Sequence, residues 1–348
     1  MTPRVAEALR VLASRRPLGR ALAEDAFGDL MDGKATEAQK GAILLGIATR
    51  GETAEEIAGA VAALRRRMRR VESRRAPLLD TCGPGGLGRD LFNLSTATAI
   101  VAAGAGAAVA KHGNRSITSR VGSADVLQAS GVSIELDPAE AGRVLDEVGL
   151  VFLFAPSFHP AMRELGTVRR ELGVRTIFNA LGPLANPAGA ARQMIGVGRP
   201  DLVPLLSDAL ASLGTDRAIV FHSENGLDEL VPGVAARGVE VREGQTRSWN
   251  YDPSALRQRP VALAELAGSD AAGNAAMLRS LLEGEAGPRR ETVLLNGALA
   301  LFVEGRAASL SEGYERAREA VDGGRALATF EALRSATAMG GGARAGQA

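Results

Sequence analysis

Several things are scarce in this chain. One cysteine, Cys82, stands among 348 residues. That excludes an intrachain disulfide and a cysteine metal cluster, and it fits a reducing cytoplasm. Aromatic residues are 3% of the chain, too few for the stacking platforms of a single-strand nucleic-acid binder. Net charge is nearly absent: 41 Lys and Arg against 40 Asp and Glu leave +1, so no overall basic field draws in nucleic acid or an anionic membrane. The longest apolar run, Thr96 to Ala110, falls short of the ~20 residues of a membrane span. Arg4, Arg10, Arg15, Arg16 and Arg20 are spread through the start of the chain with no signal-type apolar core, so no targeting segment is expected. Lysine is rare as well. Lys34, Lys40 and Lys111 are the only ones among the 41 basic residues.

What remains is ordinary globular material. Hydrophobic residues make up 46% and charged residues 23%, enough for a sizeable core. The first 70 or so residues read as three or four short helices. Thr2-Pro3 is an N-cap with proline at the first helical position. Thr36 to Gln39 and Thr53 to Glu56 are capping boxes, and Gly33 and Gly51 sit where helices end. Ile43, Leu44 and Ile47 supply an apolar stripe at helical spacing.

The texture changes near Arg75. Pro77 to Asp80 reads as a buried strand entering a glycine loop. Further strands are expected at Ala107–Ala110, Val132–Leu136, Leu150–Ala155, Gln193–Val197 and Ala218–His222. Helices are expected at Ser95–Ala103, Ser123–Ala129, Pro138–Val148, Pro160–Leu172 and Asp201–Leu213. This alternation predicts an α/β fold with a central, largely parallel sheet. Val239–Trp249 reads as an antiparallel hairpin, and 273–335 returns to helices. The expected division is a helical domain over 1–72, an α/β domain over 73–335 and a disordered Gly/Ala tail over 336–348.

Four segments carry polar chemistry. The first is Asp80-Thr81-Cys82-Gly83-Pro84-Gly85-Gly86-Leu87-Gly88, followed by Asn93-Leu94-Ser95-Thr96 at the start of an apolar helix. Such glycines let backbone N–H groups turn toward an anion, and the helix start adds a favourable dipole. By itself a Gly-rich turn is weak evidence. It is neither a Walker loop nor a dinucleotide fingerprint, because no Gly-Lys-Ser/Thr follows and the spacing does not fit Gly-x-Gly-x-x-Gly. The second is Lys111-His112-Gly113-Asn114-Arg115-Ser116, with Thr118, Ser119 and Ser123, directly after an expected strand, where open α/β sheets bind ligands. It is either a ligand loop or a polar loop that satisfies itself. The third runs from His159 past Arg169 to Gly182-Pro183-Leu184-Ala185-Asn186-Pro187. Arg169 suits a carboxylate clamp or a solvated helix arginine, and the Gly-Pro-x-x-Asn-Pro stretch reads as a rigid loop or hinge. The fourth, His222 to Glu229, ends in Asp228-Glu229, which suits Mg²⁺ or a solvated surface. No zinc spacing and no nucleophile elbow is present. The run Arg65-Arg66-Arg67-Met68-Arg69-Arg70 is either a solvated helix end or a nucleic-acid patch.

In this order, the four segments resemble the anthranilate phosphoribosyltransferase family over roughly Leu18 to Leu333. The carriers are Lys-His-Gly-Asn-Arg-Ser, Val-Arg-Arg-Glu-Leu-Gly-Val-Arg-Thr-Ile-Phe-Asn, Leu-Gly-Pro-Leu-Ala-Asn-Pro and Gly-Leu-Asp-Glu. The resemblance implies a small N-terminal helical domain, often the dimer interface, and a large α/β domain of nucleoside phosphorylase/phosphoribosyltransferase type. It implies transfer of phosphoribosyl from phosphoribosyl pyrophosphate to anthranilate, in tryptophan biosynthesis, by a cytoplasmic homodimer that uses Mg²⁺. Phosphoribosyl pyrophosphate would be held by Gly83, Gly85, Gly86, Leu87, Leu91, Asn93, Leu94, Ser95, Thr96, Lys111, His112, Gly113, Asn114, Arg115, Ser116, Ile117, Thr118, Ser119 and Ser123. Gly83, Asn114 and Arg169 would face anthranilate, and Ser95, Asp228 and Glu229 would hold Mg²⁺. His112, Asn114 and Arg169 would be the catalytic group, with His112 as an orienting residue. The chain departs from the family's Gly-Thr-Gly-Gly-Asp loop: Pro84 replaces Thr, Leu87 replaces Asp, and Leu91 replaces a further Thr. Weakened donor binding is the expectation. The alternatives are a relative with another aromatic acceptor and a non-catalytic nucleic-acid binder. Nucleoside phosphorylases match these motifs poorly.

Overall fold

The structure, a computed structural model, describes residues 1–84, 90–116, 120–256 and 258–341. Four helices open the chain: α1 (Pro3–Ala13), α2 (Arg20–Met31), α3 (Glu37–Arg50) and α4 (Ala54–Arg67). The starts of α1, α3 and α4 are those the capping residues predict, and α2 begins after Gly19 with no side-chain cap. The Thr2 hydroxyl accepts from Val5 N, and Thr36 and Thr53 form reciprocal capping boxes with Gln39 and Glu56. Glu56 does more than cap. Fully buried, its carboxylate accepts from Leu18 N at 2.9 Å and from Arg50 at 2.5 Å, which joins three segments of the bundle.

The strands are β1 (Leu78–Asp80), β2 (Ala108–Gly113), β3 (Leu150–Phe154), β4 (Arg192–Gly196), β5 (Arg217–Ser223), β6 (Ala236–Arg242) and β7 (Gln245–Tyr251). They form one sheet in the order β3-β2-β1-β4-β5-β6-β7, parallel from β3 to β5. β5, β6 and β7 are antiparallel, with β6 and β7 as the expected hairpin. The remaining helices are α5 (Leu94–Gly104), α6 (Ser123–Ala129), α7 (Pro138–Val148), α8 (Ala155–Phe158), α9 (Gly166–Leu172), α10 (Phe178–Leu181), α11 (Leu202–Ser212), α12 (Ala271–Leu282), α13 (Pro288–Glu304), α14 (Leu310–Asp322) and α15 (Arg325–Gly341).

Period-two alternation assigns the two sheet faces. On β5, Ile219 and Phe221 join the apolar cluster containing α5, α13 and α15 residues. Ala218 and Val220 face the other way, into a cluster with Leu206 of α11 and Phe27, Ile43 and Ile57 of the helical bundle. The small helical domain therefore shares a core with one face of the sheet.

Four details differ from the sequence reading. Val132, Ile134 and Leu136 are buried in alternation, as a strand would place them, but they join no strand; Ser133 N donates instead to Thr337 Oγ1. The Pro160–Leu172 helix is divided into a 3₁₀ segment, Pro160–Leu165, and α9. β2 runs on to Gly113, so Lys111 and His112 lie in the sheet opposite Phe152 and Leu153 rather than in a loop. The helical end extends to Gly341, into the stretch expected as tail, because Ala336 and Thr337 are buried and Arg143 donates to Ala336 O. Residues 342–348 lie outside the described residues.

Candidate active site at the strand ends

From β1 the chain builds one half of the sheet outward through β2 and β3, and the other half through β4 and β5. Where strand order reverses in this way, the carboxyl ends of adjacent strands leave a crevice. The motif residues collect there: Asp80 closes β1 and Thr81 to Gly83 follow it, Lys111 to Gly113 end β2, Gly196 ends β4, and His222 and Ser223 end β5.

Asp80 is the buried centre. Its Oδ1 accepts from His112 N at 3.2 Å, and its Oδ2 accepts from Asn186 Nδ2 at 2.7 Å. Burial pushes its carboxyl up to about 6, against the pull of Lys111 and these donors. Asn186 also donates to Ala110 O at 2.8 Å, and Gln193 Nε2 donates to Pro183 O at 2.5 Å. The Gly-Pro-x-x-Asn-Pro loop is thus fastened to β1, β2 and β4. Cys82 lies close to Asp80 and His112, with candidate ligand atoms within 4.8 Å of one another. Burial pushes its thiol up to about 12, and the other two groups already hold hydrogen bonds, so the trio suits structure better than a cation.

Lys111, only 3% exposed, donates from Nζ to Ser95 Oγ at 3.2 Å and to Thr81 Oγ1 at 3.4 Å. Its charge also acts on Glu229. Two glycines close the distance between loops. A Cβ on Gly83 would sit 2.6 Å from Gly196 O, and one on Gly196 would sit 1.6 Å from Asp228 O. The glycine loop, β4 and the Asp-Glu loop are therefore stacked backbone on backbone. Burial and the neighbouring Asp228 push Glu229 up to about 8, and burial raises Asp228. Two adjacent carboxyls that resist ionising together are oxygen donors of the kind that suits Mg²⁺. Nearby, Thr96 Oγ1 is buried with no hydrogen-bond partner. These residues fit a metal and an anion.

On the other side His112 and His159 meet, Nε2 to Nε2, at 3.2 Å. His112 Nδ1 lies 3.0 Å from Gly182 O, which can only accept. In a neutral ring, His112 Nε2 is then the acceptor, and His159 must carry its proton on Nε2. Burial holds both rings neutral, at about 3 for His112, where His159 adds to the effect, and about 4 for His159. Arg169, on α9, places its guanidinium 5.4 Å from the centroid of the Phe178 ring. It is half-buried, and burial lowers its pKa. Among the described residues no carboxylate pairs with it.

The other expected contacts are placed as follows. Leu94 is buried in the core, and Leu91 packs on that core and bridges to Ala267, so their side chains serve packing and only their backbone can serve a donor. Arg115 commits its guanidinium to Asp125 at 2.6 Å and Gln128 at 2.8 Å on α6, which begins at Ser123. Asn114 Oδ1 accepts from Arg115 N at 2.7 Å, and Asn93 Nδ2 donates to Val121 O at 3.4 Å. Ser116 follows at the edge of the described residues; Gly85, Gly86, Leu87, Ile117, Thr118 and Ser119 lie outside them. Sequence reasoning assigned no role to Asp80, His159, Asn186 or Asn274. Asp80, His159 and Asn186 stand in motif segments, whereas Asn274 carries no such signal, and partners so distant in sequence are visible only in the fold.

A family model described as the helical bundle domain of a glycosyl transferase family matches residues 6–68, and its a/b domain counterpart matches residues 75–327. The anthranilate phosphoribosyltransferase of Anaeromyxobacter sp. (strain K) is 47% identical over 335 residues, covering 96% of this chain and 99% of the relative. The chain belongs to the anthranilate phosphoribosyltransferase family. Anthranilate phosphoribosyltransferase 2 of Streptomyces coelicolor is 49% identical over 320 residues, 91% of this chain and 95% of that one. Among solved structures, the family member from Thermus thermophilus superposes with a TM-score of 0.90 at 41% identity, over 95% of this chain and 99% of that one. The Saccharomyces cerevisiae member, solved with phosphoribosyl pyrophosphate and Mg, gives 0.88 at 24% identity over 96% and 98%, a likeness of fold.

Proposed function

We propose that this chain transfers the 5-phosphoribosyl group of phosphoribosyl pyrophosphate to the amine of anthranilate, in tryptophan biosynthesis. The amine nitrogen forms a bond to the anomeric carbon, the bond from that carbon to the pyrophosphate oxygen breaks, and the proton released from the amine passes to the departing pyrophosphate or to water. The observation that carries this reading is Arg169: a half-buried guanidinium stacked on Phe178, with no carboxylate partner among the described residues, invites a planar aromatic carboxylate. His112 and His159, both neutral, orient the acceptor side and offer it no competing charge. Ser95, Asp228 and Glu229 would hold Mg²⁺, and Lys111 and the chain around Gly83 would face the donor. Mg²⁺ when bound neutralises the charge that leaves with pyrophosphate. The residues then supply position and electrostatics rather than a covalent nucleophile.

The test is turnover of both substrates by the purified chain with Mg²⁺, wild type against Arg169→Ala. We expect the variant to raise the anthranilate KM at least about tenfold, in keeping with the ~1.5–3 kcal/mol of a charge-assisted pair, and to leave the donor KM nearly unchanged. Arg169→Lys should rescue poorly, since an ammonium has no planar fork. Donor binding with no anthranilate turnover would point to another aromatic acceptor. We also infer a cytoplasmic homodimer built on the helical domain. The support is Leu45 on α3, a large apolar side chain 47% exposed. Among the described residues no helix is long and apolar enough to cross a membrane.

A further inference from the structure

We infer that Asn274 is a positioning residue for donor binding: it fixes the amide of Asn93 so that this one side chain ties the loop after β1 to the loop after β2. The inference rests on the donor assignment proposed above. Asn274 stands in the first turn of α12 and is 1% exposed. Its Oδ1 accepts from Ser269 N at 2.7 Å. An amide end that faces an N–H must be the oxygen, so the other end of Asn274 must be the NH₂. That NH₂ donates to Asn93 Oδ1 at 2.9 Å. Asn93 is thereby oriented in turn, and its own NH₂ points at Val121 O, 3.4 Å away. The chain of donors runs one way only, from Ser269 N–H through Asn274 and Asn93 to Val121.

The surrounding backbone acts in the same sense. Phe92 N donates to Leu266 O and Gly268 N to Asp90 O, both at 3.0 Å, while Leu91 bridges to Ala267. Asp90 Oδ1 accepts from Arg120 N at 3.0 Å. Residues 266–274 thus brace residues 90–93, and Asp90 and Asn93 each reach across to the second loop. Leu91 and Leu94 turn their side chains into the core, while Asp90 and Asn93 each carry a side-chain link to the second loop. Asn274 belongs to neither loop and is not itself among the residues expected to hold the donor; it acts through Asn93.

The experiment uses the full chain, with phosphoribosyl pyrophosphate titrated at saturating Mg²⁺ and anthranilate, and donor binding measured separately by calorimetry. Asn274→Asp keeps the size of the side chain and the acceptor for Ser269 N–H, but turns an oxygen toward Asn93 Oδ1. Asn93 must then flip and release Val121. We expect the donor KM to rise about tenfold, the size of effect usual for a supporting partner, with the anthranilate KM nearly constant. In an Asn93→Ala background the same substitution should add nothing, because the path through Asn93 is already cut. Should Asn274→Asp fail to fold, Asn274→Ala serves: it removes the donor to Asn93 Oδ1 without changing a residue expected to hold the substrate, and it should show the same donor-specific rise. A donor KM unchanged in these variants, a loss shared equally by both substrates, or full additivity with Asn93→Ala overturns the inference. A wild-type chain that binds no phosphoribosyl pyrophosphate overturns the functional reading beneath it.

Discussion

At the scale of single residues, the site depends on which groups are kept neutral. His112 and His159 have folded pKa values of about 3 and 4, below the ordinary 6.5, chiefly because burial penalises the charged ring. The sign follows from linkage. Below pH 6.5 the unfolded chain takes up protons that the folded rings refuse, so stability falls as pH falls toward 4. Asp80 and Glu229, raised to about 6 and 8, act oppositely and lose stability as pH rises through those values. A single variant separates the two. His159→Gln keeps a donor for His112 and removes one titration. Between pH 7 and 5 the wild type should lose about 2 kcal/mol more than His159→Gln in urea unfolding, as expected for one histidine held neutral. Equal losses would mean that the ring is charged in the fold.

Elements matter where backbones touch. β4 ends at Gly196, whose missing Cβ lets the Asp228 carbonyl approach. No rotamer relieves a Cβ 1.6 Å from a backbone oxygen, so Gly196→Ala must displace the Asp-Glu loop. We expect the Mg²⁺ concentration for half-maximal turnover to rise about tenfold or more, as when the support of a metal ligand is removed. The parallel sheet should survive, because β4 keeps its pairing with β1 and β5. An unchanged magnesium titration would show that this loop does not hold the metal. The Gly-Pro-x-x-Asn-Pro loop is held by the same principle of satisfied polar groups. Arg65 donates twice to Leu184 O, at 2.6 and 2.9 Å, and Gln193 and Asn186 hold its neighbours.

Over the whole molecule, the arginine run ties the helical bundle both to itself and to the α/β domain. Arg65 reaches Leu184, Arg66 pairs with Glu24 at 2.8 Å, Arg67 with Asp32 at 2.6 Å, and Arg69 bonds to Ser157 and Phe158. Arg65 and Arg67 are engaged in this way, and the nearly balanced net charge adds no field that would draw phosphates to the run. Any DNA binding should be non-specific and vanish near physiological salt in a mobility-shift assay. A tight complex at that salt would revive the nucleic-acid reading. Assembly makes a separate prediction: Leu45→Glu should convert a dimer to monomer in sedimentation velocity, because an apolar contact on α3 would then bury an unpaired charge. A wild-type monomer at micromolar concentration, or a variant that stays dimeric, would remove α3 from the interface.

What the sequence alone determined is what local rules govern. Thr2, Thr36 and Thr53 announce helix starts through their own hydroxyls, and the alternation of apolar strands with amphipathic helices specifies an α/β sheet. The motif residues could be read in order because glycines, a Lys-His pair and an Asp-Glu pair at strand ends carry their chemistry in their identity. Only the tertiary structure decided the rest. Val132 to Leu136 has the pattern of a strand, but pairing needs a free neighbour, and the β3 edge of the sheet is not joined to it. β2 lengthens to Gly113 because β3 offers partners as far as Phe154. The His112–His159 pair, the Asp80–Asn186 clasp and the Asn274–Asn93 link join residues 47, 106 and 181 positions apart. No local periodicity encodes such distances; they exist because folding buries polar groups that must then find one another.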